Sequence, residues 1–121
     1  MARAVCTNGE NGLLIAKVLA VGNYYEETGM LAKSGLVDRE FFLELYSGNI
    51  MLMWDLLSEY TAITREAGGS GLWENFEYSA VLSQDWMAQH PSGTYPANVR
   101  RIDLSNKWRD ADLAYAASLA T

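Results

Sequence analysis

The sequence predicts an all-α fold, a compact bundle of about four helices. Apolar residues recur at spacings of three, four and seven through four long segments, which is the period of a helix with one buried face. Glycine- and proline-containing stretches separate those segments, and no run alternates between polar and apolar as a half-buried strand does. A chain of 121 residues can bury a core without disulfides, so we expect one helical domain over residues 1–121.

The first helix is expected over residues 12–34, with a choice of N-cap residues in the polar stretch 7–11. Gly35 suits the positive φ angle that commonly ends a helix. Gly22 and Gly29 weaken the helix, so each marks either the close approach of another segment or a kink. The predicted buried face of this helix consists of Leu14, Val18, Val21, Tyr25 and Ala32.

The second helix is expected to begin after Asp38, a favoured N-cap residue, and to end near Ala67. Because this helix is long and carries Gly48 near its middle, we expect a kink or a split close to that glycine. The predicted buried stripe consists of Phe42, Leu45, Leu52, Leu56 and Ile63, widened by Phe41, Met53, Trp54, Leu57 and Tyr60.

The third and last helices follow two clear breaks in the chain. The glycine-rich stretch around Ser70 is the first break, and Ser70 is the expected N-cap of a helix over residues 71–89. A loop that contains both prolines follows, and a last helix is expected over residues 103–119, capped by Asp103 or Ser105. The predicted buried face of the last helix consists of Leu104, Trp108, Ala111 and Tyr115.

Charge and cysteine content limit the partners that the protein can have. The formal net charge is −6, and a negative surface repels phosphates, so we expect no direct nucleic-acid binding. The longest apolar stretch, residues 13–21, is interrupted by Lys17 and is shorter than the ~20 residues that span a bilayer, so we expect no membrane insertion. Cys6 is the only cysteine, which excludes an internal disulfide and favours a cytoplasmic location.

No constellation of side chains predicts catalysis or a cofactor. Di-metal sites in helical bundles use Glu-x-x-His pairs, and the single histidine, His90, has no such glutamate. We therefore predict no metal, no cofactor and no catalytic residue. Glu26 is the acid best suited to point inward, because it follows two tyrosines on the first helix. An inward carboxylate needs a hydrogen-bond donor, and Trp54, a tyrosine or Asn75 is the expected one.

Four short motifs resemble those of an uncharacterised bacterial family of helical proteins. They are Asn23-Tyr24-Tyr25-Glu26, Gly35-Leu36-Val37-Asp38, Trp54-Asp55 and Trp73-Glu74-Asn75-Phe76-Glu77-Tyr78-Ser79-Ala80. The resemblance covers about residues 18–86 and implies a helical domain without enzymatic activity. It assigns no substrate, cofactor or partner.

The leading hypothesis is a small acidic cytoplasmic protein-interaction or regulatory module, without enzymatic activity, of a kind that a phage or mobile element could carry. It would dock a helix face on an unidentified protein partner. The sequence is also compatible with a homodimer. The alternative is an enzyme or small-ligand-binding bundle with interior carboxylates, and the third hypothesis is an acidic inhibitor that mimics nucleic acid. An exposed apolar face would favour the first hypothesis, and a closed pocket around a desolvated acid the second. The predicted binding residues are Glu26, Trp54, Trp73, Asn75, Glu77, Tyr78 and Trp86.

Overall fold

The computed structural model describes residues 9–120 and the surroundings of the side chains from residue 11 onward. Within this range the chain forms four helices and no strand: α1 (Gly9–Ser34), α2 (Arg39–Glu66), α3 (Glu74–Gln89) and α4 (Lys107–Leu119). The predicted all-α class with about four helices is confirmed. Cys6 and the first residues of the predicted N-cap stretch lie outside the described residues, and so do the expectations that concern them.

Both boundaries between α1 and α2 agree with the sequence prediction. Gly35 has a φ of 79° directly after α1, which a residue without a Cβ adopts at little cost. The carboxylate of Asp38 accepts a hydrogen bond of 2.8 Å from the backbone N–H of Phe41 and caps α2. The helix continues through Gly48 without interruption, so it is not split there. The kink near this glycine stays a prediction.

The starts of α3 and α4 differ from those predicted. α3 begins at Glu74 rather than at residue 71, because residues 70–73 form turns, and Ser70 is not its cap. α4 begins after Asn106, whose side-chain oxygen accepts a hydrogen bond of 2.9 Å from the backbone N–H of Arg109. Several good N-cap residues lie close together in both places, and the amino-acid type alone does not select among them.

α3 lies between the two long helices. It packs extensively against both α1 and α2, which make only a small contact with each other. The ring of Phe76, near the start of α3, contacts Trp54 in the second half of α2. Trp86, near the end of α3, bonds to Glu40 at the start of α2. α3 therefore runs antiparallel to α2 and fills the space between the two long helices.

The hydrophobic core is centred on Phe76, which is 0% exposed. Three aromatic rings surround it: Tyr25 is stacked with its ring centroid at 5.2 Å, Trp54 is edge-on at 5.1 Å, and Trp73 is tilted at 6.1 Å. These three side chains come from α1, α2 and the residue before α3, so one ring joins three parts of the chain. The other buried apolar residues are Ala32, Phe42, Leu43, Ile50, Leu57 and Ala80.

The predicted buried stripe of α2 is wrong at four of its five positions. Leu45, Leu52, Leu56 and Ile63 face solvent, and of that stripe only Phe42 is buried. Because α2 carries apolar residues on two faces, the helical period indicates both faces and does not show which of them packs inward. On α1, Leu14 and Val21 are likewise exposed, whereas Val18, Tyr25 and Ala32 pack against the core as predicted.

α4 contributes nothing to this core. None of its residues is buried, and Trp108 is 86% exposed, so the prediction that Trp108 and its neighbours form a buried face is wrong. The packed body consists of α1, α2 and α3, and α4 forms a separate helix after a loop of residues 90–106. Among the residues that the structure describes, no helix has both the length and the apolar character needed to cross a membrane.

We predict that Phe76→Ala lowers the free energy of unfolding by about 3–5 kcal/mol, because the substitution leaves a cavity among three aromatic rings. The matched control is Phe41→Ala, since Phe41 is an exposed phenylalanine on α2. Urea denaturation of both variants measures the difference. Equal loss of stability in the two variants would contradict the central position of Phe76.

Candidate functional site

The N-terminus of α3 is capped by a side chain from another helix. Glu26 Oε1 accepts hydrogen bonds from Asn75 Nδ2 at 2.9 Å and from the Asn75 backbone N–H at 3.3 Å. Glu26 Oε2 accepts one of 2.8 Å from the Phe76 backbone N–H. The first N–H groups of a helix lack partners within the helix, and its dipole favours a negative charge there. Of the three donors that the sequence leaves open for Glu26, the structure shows Asn75, and the carboxylate acts as a helix cap supplied by α1.

The backbone explains why α3 needs this outside cap. Trp73, at the N-cap position, has a φ of 56°, a left-handed conformation that is uncommon for a residue with a Cβ, and its side chain makes no capping bond. The indole is instead 2% exposed, and its Nε1–H donates a hydrogen bond of 3.0 Å to Asn23 Oδ1. The buried ring holds Trp73 in place, and Glu26 takes over the capping function.

Two glycines let α1 approach this junction closely. A Cβ on Gly22 would lie 2.0 Å from Trp73 Cζ2, and a Cβ on Gly29 would lie 2.2 Å from the backbone oxygen of Asn75. Both distances are far below contact, so a larger residue at either position would displace the indole or the start of α3. Of the two interpretations that the sequence allowed for these glycines, close packing is the correct one.

The ring of Tyr25 packs against Phe76 at the same junction. Burial, followed by the neighbouring Tyr24 and Tyr46, raises the pKa of Tyr25 above its ordinary value. The phenol is therefore neutral near pH 7 and is not available there as a base. Its ring stacks on Phe76, and this contact accounts for its place in the core.

A second polar cluster joins the end of α2 to the start of α3. Arg65 Nη1 forms an ion pair of 2.6 Å with Glu77 Oε1, and Arg65 Nε and Nη2 both donate to the carbonyl oxygen of Leu72. The guanidinium also lies 5.9 Å from the centroid of the Trp54 ring. Arg65 thus fixes the turn that leads into α3, and the prediction of binding residues did not include it.

The remaining predicted binding residues lie at the other end of the α2–α3 contact. Tyr78 accepts a hydrogen bond of 3.1 Å from Arg39 Nη2. Trp86 Nε1 donates to Glu40 Oε2 at 3.3 Å, and its ring stacks on His90 with centroids 4.2 Å apart. The hydrogen bonds of Tyr78 and Trp86 join α3 to the start of α2, whereas the stacking of Trp86 on His90 stays at the end of α3.

All seven predicted binding residues therefore make contacts that position the three helices of the body, and they form three groups rather than one site. Their use in binding a ligand stays a prediction. Among the described residues, no group of three or more His, Cys, Asp or Glu side chains is placed to hold a metal ion.

The exposed face of α2 is the feature that the core does not explain. Its apolar residues recur at intervals of four and seven, which keeps them on one side of the helix. They are between 37% and 68% exposed, and we call them the outer face of α2: Phe41, Leu45, Leu52, Leu56 and Ile63. Isolated apolar residues are normal on a protein surface, whereas a continuous row of large ones marks an interaction surface.

Acidic residues follow one edge of the outer face. Glu44, Asp55, Glu59 and Glu66 are exposed and recur at intervals of eleven, four and seven along α2. This spacing places them side by side along the helix. The outer face therefore combines an apolar stripe with a negative edge.

An open groove lies between α1 and α2. It has a volume of about 380 Å³ and is lined by Ala20, Val21, Tyr24, Tyr25 and Met53. No ionisable group of the Asp, Glu, Lys, Arg or His type lines it. The groove suits apolar side chains of a partner and offers no group for acid–base chemistry.

The sequence contained signals for some of the features that were missed. Asn23, three residues before Glu26, belongs to the same motif, and helical spacing places it on the same side of α1 as Glu26. Its partner there, the indole N–H of Trp73, is shown by the structure. The 4- and 7-residue spacing of the outer face is visible in the sequence, but the spacing does not show whether this face points to the core or to solvent. No sequence signal indicated that Arg65 would reach the carbonyl of Leu72.

Comparison with known proteins identifies the body of the chain as a family domain. Residues 7–82 match the family model described as "Domain of unknown function (DUF4760)". Neither the curated proteins nor the solved structures include a significant match to this chain. The matched range contains Asn23, Glu26, Trp73 and Phe76, which form the junction between α1 and α3.

We predict that Gly29→Ala destabilises the protein by about 1–3 kcal/mol, because the added methyl group meets the Asn75 carbonyl. Gly12→Ala is the control, since Gly12 is on the same helix and its Cβ would meet nothing within 4 Å. That substitution should raise stability by about 0.4–1 kcal/mol. Thermal melts of the two variants that shift in the same direction would contradict the close approach.

We predict that Glu26→Leu costs about 1–3 kcal/mol, because three N–H donors at the start of α3 lose their acceptor. Glu26→Gln should cost less, since one amide oxygen still accepts hydrogen bonds. The control is Glu27→Leu on the exposed side of α1, which should change stability little. Chemical denaturation measures all three variants, and equal stability of Glu26→Leu and the parent would contradict the capping function.

Proposed function

The chain belongs to the DUF4760 family, and we propose that this member is a protein-interaction module that binds a basic, amphipathic helix on the outer face of α2. The observation that carries the proposal is the row of five large, exposed apolar residues on a helix whose opposite side is already buried. A helix laid along such a row contributes side chains at intervals of three, four and seven residues.

Charge favours a basic partner over an acidic one. The outer face has Glu44, Asp55, Glu59 and Glu66 along one edge, and the whole chain has a net charge of −6. Charge complementarity across an interface speeds association and disfavours partners of the wrong sign. A helix with lysine or arginine beside its apolar stripe therefore fits this surface best.

The geometry at Glu26 favours a binding module over an enzyme. Both carboxylate oxygens already accept hydrogen bonds from the start of α3, so the acid is engaged in holding the fold. The groove beside it is lined by apolar and tyrosine side chains and is open to solvent. A cytoplasmic site of action fits a chain whose only cysteine cannot form an internal disulfide.

Crosslinking from the outer face tests this function. A photoreactive amino acid in place of Leu52 is expected to form an adduct with one major protein in extracts of the native host. The adduct should be lost when Leu56→Asp is added, because a charge in the stripe opposes docking, while the melting temperature stays unchanged. The contacting segment of the partner, identified by mass spectrometry, should be a basic amphipathic helix.

The matched control places the same photoreactive residue at Val81, an exposed apolar position on α3 that is 51% exposed. No major adduct is expected there. Equal labelling from Leu52 and Val81, or an adduct that persists with Leu56→Asp, would overturn the assignment of the outer face.

A further inference from the structure

We propose that the helix bound by the outer face of α2 is α4 of a second copy of this chain, so that two chains exchange their last helices and form a symmetric dimer. This inference rests on the proposed function, because it names the occupant of the same surface. It starts from the second feature that the core leaves unexplained, the full exposure of α4.

α4 has the composition of a helix that binds another surface. Trp108, Tyr115 and Leu119 follow one another at intervals of seven and four, so they form a stripe on one side, and each is at least two-thirds exposed. The helix is well formed and capped by Asn106, although a 13-residue helix is marginal in water without a packing partner. Two aromatic residues in the stripe are of the type that dominates binding energy at interfaces.

The stripe of α4 is long enough to cover about half of the outer face of α2. From Trp108 to Leu119 the stripe extends about 17 Å along the helix, and the outer face extends about 33 Å from Phe41 to Ile63. The large apolar residues of both surfaces are exposed in the single chain. A dimer in which each α4 lies on the α2 of the other copy covers the α4 stripe and about half of the outer face in both chains.

The charges of the two surfaces are also complementary. α2 contains five acidic and two basic residues, which gives a net charge of −3. The segment of residues 100–119 contains four basic and three acidic residues, which gives a net charge of +1. The basic residues are Arg100, Arg101, Lys107 and Arg109, which precede or flank the α4 stripe. α4 itself contains two basic and two acidic residues and is neutral, so the positive charge of this segment comes from Arg100 and Arg101 before the helix. The charge of the segment is opposite in sign to that of α2, which favours their association.

The connection between α3 and α4 brings the last helix to the correct edge of the outer face. Thr94 Oγ1 donates a hydrogen bond of 2.8 Å to Glu44 Oε1, and a depression of about 410 Å³ at this point is lined by Phe41, Glu44, Leu45 and Thr94. Farther along, Tyr95 donates to the Arg100 carbonyl, and its ring lies beneath Arg101. The loop is thus tied to the start of the stripe.

The ordered loop favours exchange over closure within one chain. α4 leaves the loop without covering the outer face of its own α2. In the proposed two-fold pair each α4 lies on the outer face of the other copy, while the loop before it keeps its contacts with Glu44 of its own chain. Such an interface uses the same surface twice, and exchange of an identical element is a recurring route to dimers.

The oligomeric state in solution is the first test. Light scattering coupled to gel filtration should give the parent twice the mass of the single chain. Trp108→Asp and Leu56→Asp should each give the monomer mass while their melting temperatures show that the body is folded. The control Leu113→Asp lies on the opposite side of α4, at a position that is 57% exposed, and should stay dimeric. A monomeric parent would overturn the inference.

Crosslinking of mixed variants tests which helix meets which. In a Cys6→Ser background, one variant carries Leu52→Cys and the other Tyr115→Cys. A flexible bis-maleimide, which tolerates a shift of one turn, should join the two variants into a heterodimer. Val81→Cys mixed with Tyr115→Cys is the control and should not be joined. A variant that carries both Leu52→Cys and Tyr115→Cys serves as the comparison. If it is crosslinked within one chain while the mixed single variants give no product, the exchange of α4 is overturned.

The two proposals fail separately. If the parent is a monomer and the mixed variants are not joined, self-association is wrong. A host protein captured from Leu52 and lost with Leu56→Asp would then still support the outer face as a docking surface. If neither self-crosslinks nor host adducts depend on Leu56, both proposals are wrong.

Discussion

The carboxylate of Glu26 on the N-terminus of α3 is the interaction on which the arrangement of the body depends. α3 starts from a left-handed Trp73 without a cap of its own, so its first N–H groups need an acceptor from elsewhere. Glu26 supplies it to Asn75 and Phe76 at once. Because Phe76 is both a capped residue and the centre of the core, one contact fixes the start of α3 and the position of the ring that three helices share.

For Glu26 to reach the start of α3, α1 must approach α3 closely, and the neighbouring residues permit this approach. Gly22 and Gly29 remove the atoms that would collide with Trp73 and with the Asn75 backbone, and Asn23 satisfies the buried indole N–H. Arg65 holds the start of α3 from the side of α2, because it donates hydrogen bonds to the Leu72 carbonyl and pairs with Glu77. The motif residues thus specify how α3 is inserted between the two long helices, which is a structural function.

The functional proposals rest on what this insertion leaves uncovered. α3 occupies the inner side of α2, so the second apolar face of the same helix remains exposed together with its acidic edge. α4 also has an uncovered apolar stripe. It is a capped helix, and basic residues lie beside the stripe or precede it. Association of these two exposed apolar surfaces is favourable because it removes apolar area from water, and the hydrophobic effect supplies the driving force.

The all-α class, the four helical segments, the Asp38 cap and the helix end at Gly35 follow from the amino-acid sequence. The sequence also indicates that Glu26 needs a hydrogen-bond donor, but it leaves the donor open among Trp54, a tyrosine and Asn75. These features depend on local chemistry: helical period, capping residues, backbone freedom at glycine, and the requirement that an inward carboxylate find a donor. The packing of the helices decides the rest: which face of α2 is buried, that Ser70 does not cap α3, that Asn75 is the donor to Glu26, that Arg65 reaches the Leu72 carbonyl, and that Trp108 is exposed. A helix with two apolar faces has the same hydrophobic period whichever face packs inward. The buried face is selected by the contact of α2 with α3, and that contact is made by residues that are distant in sequence.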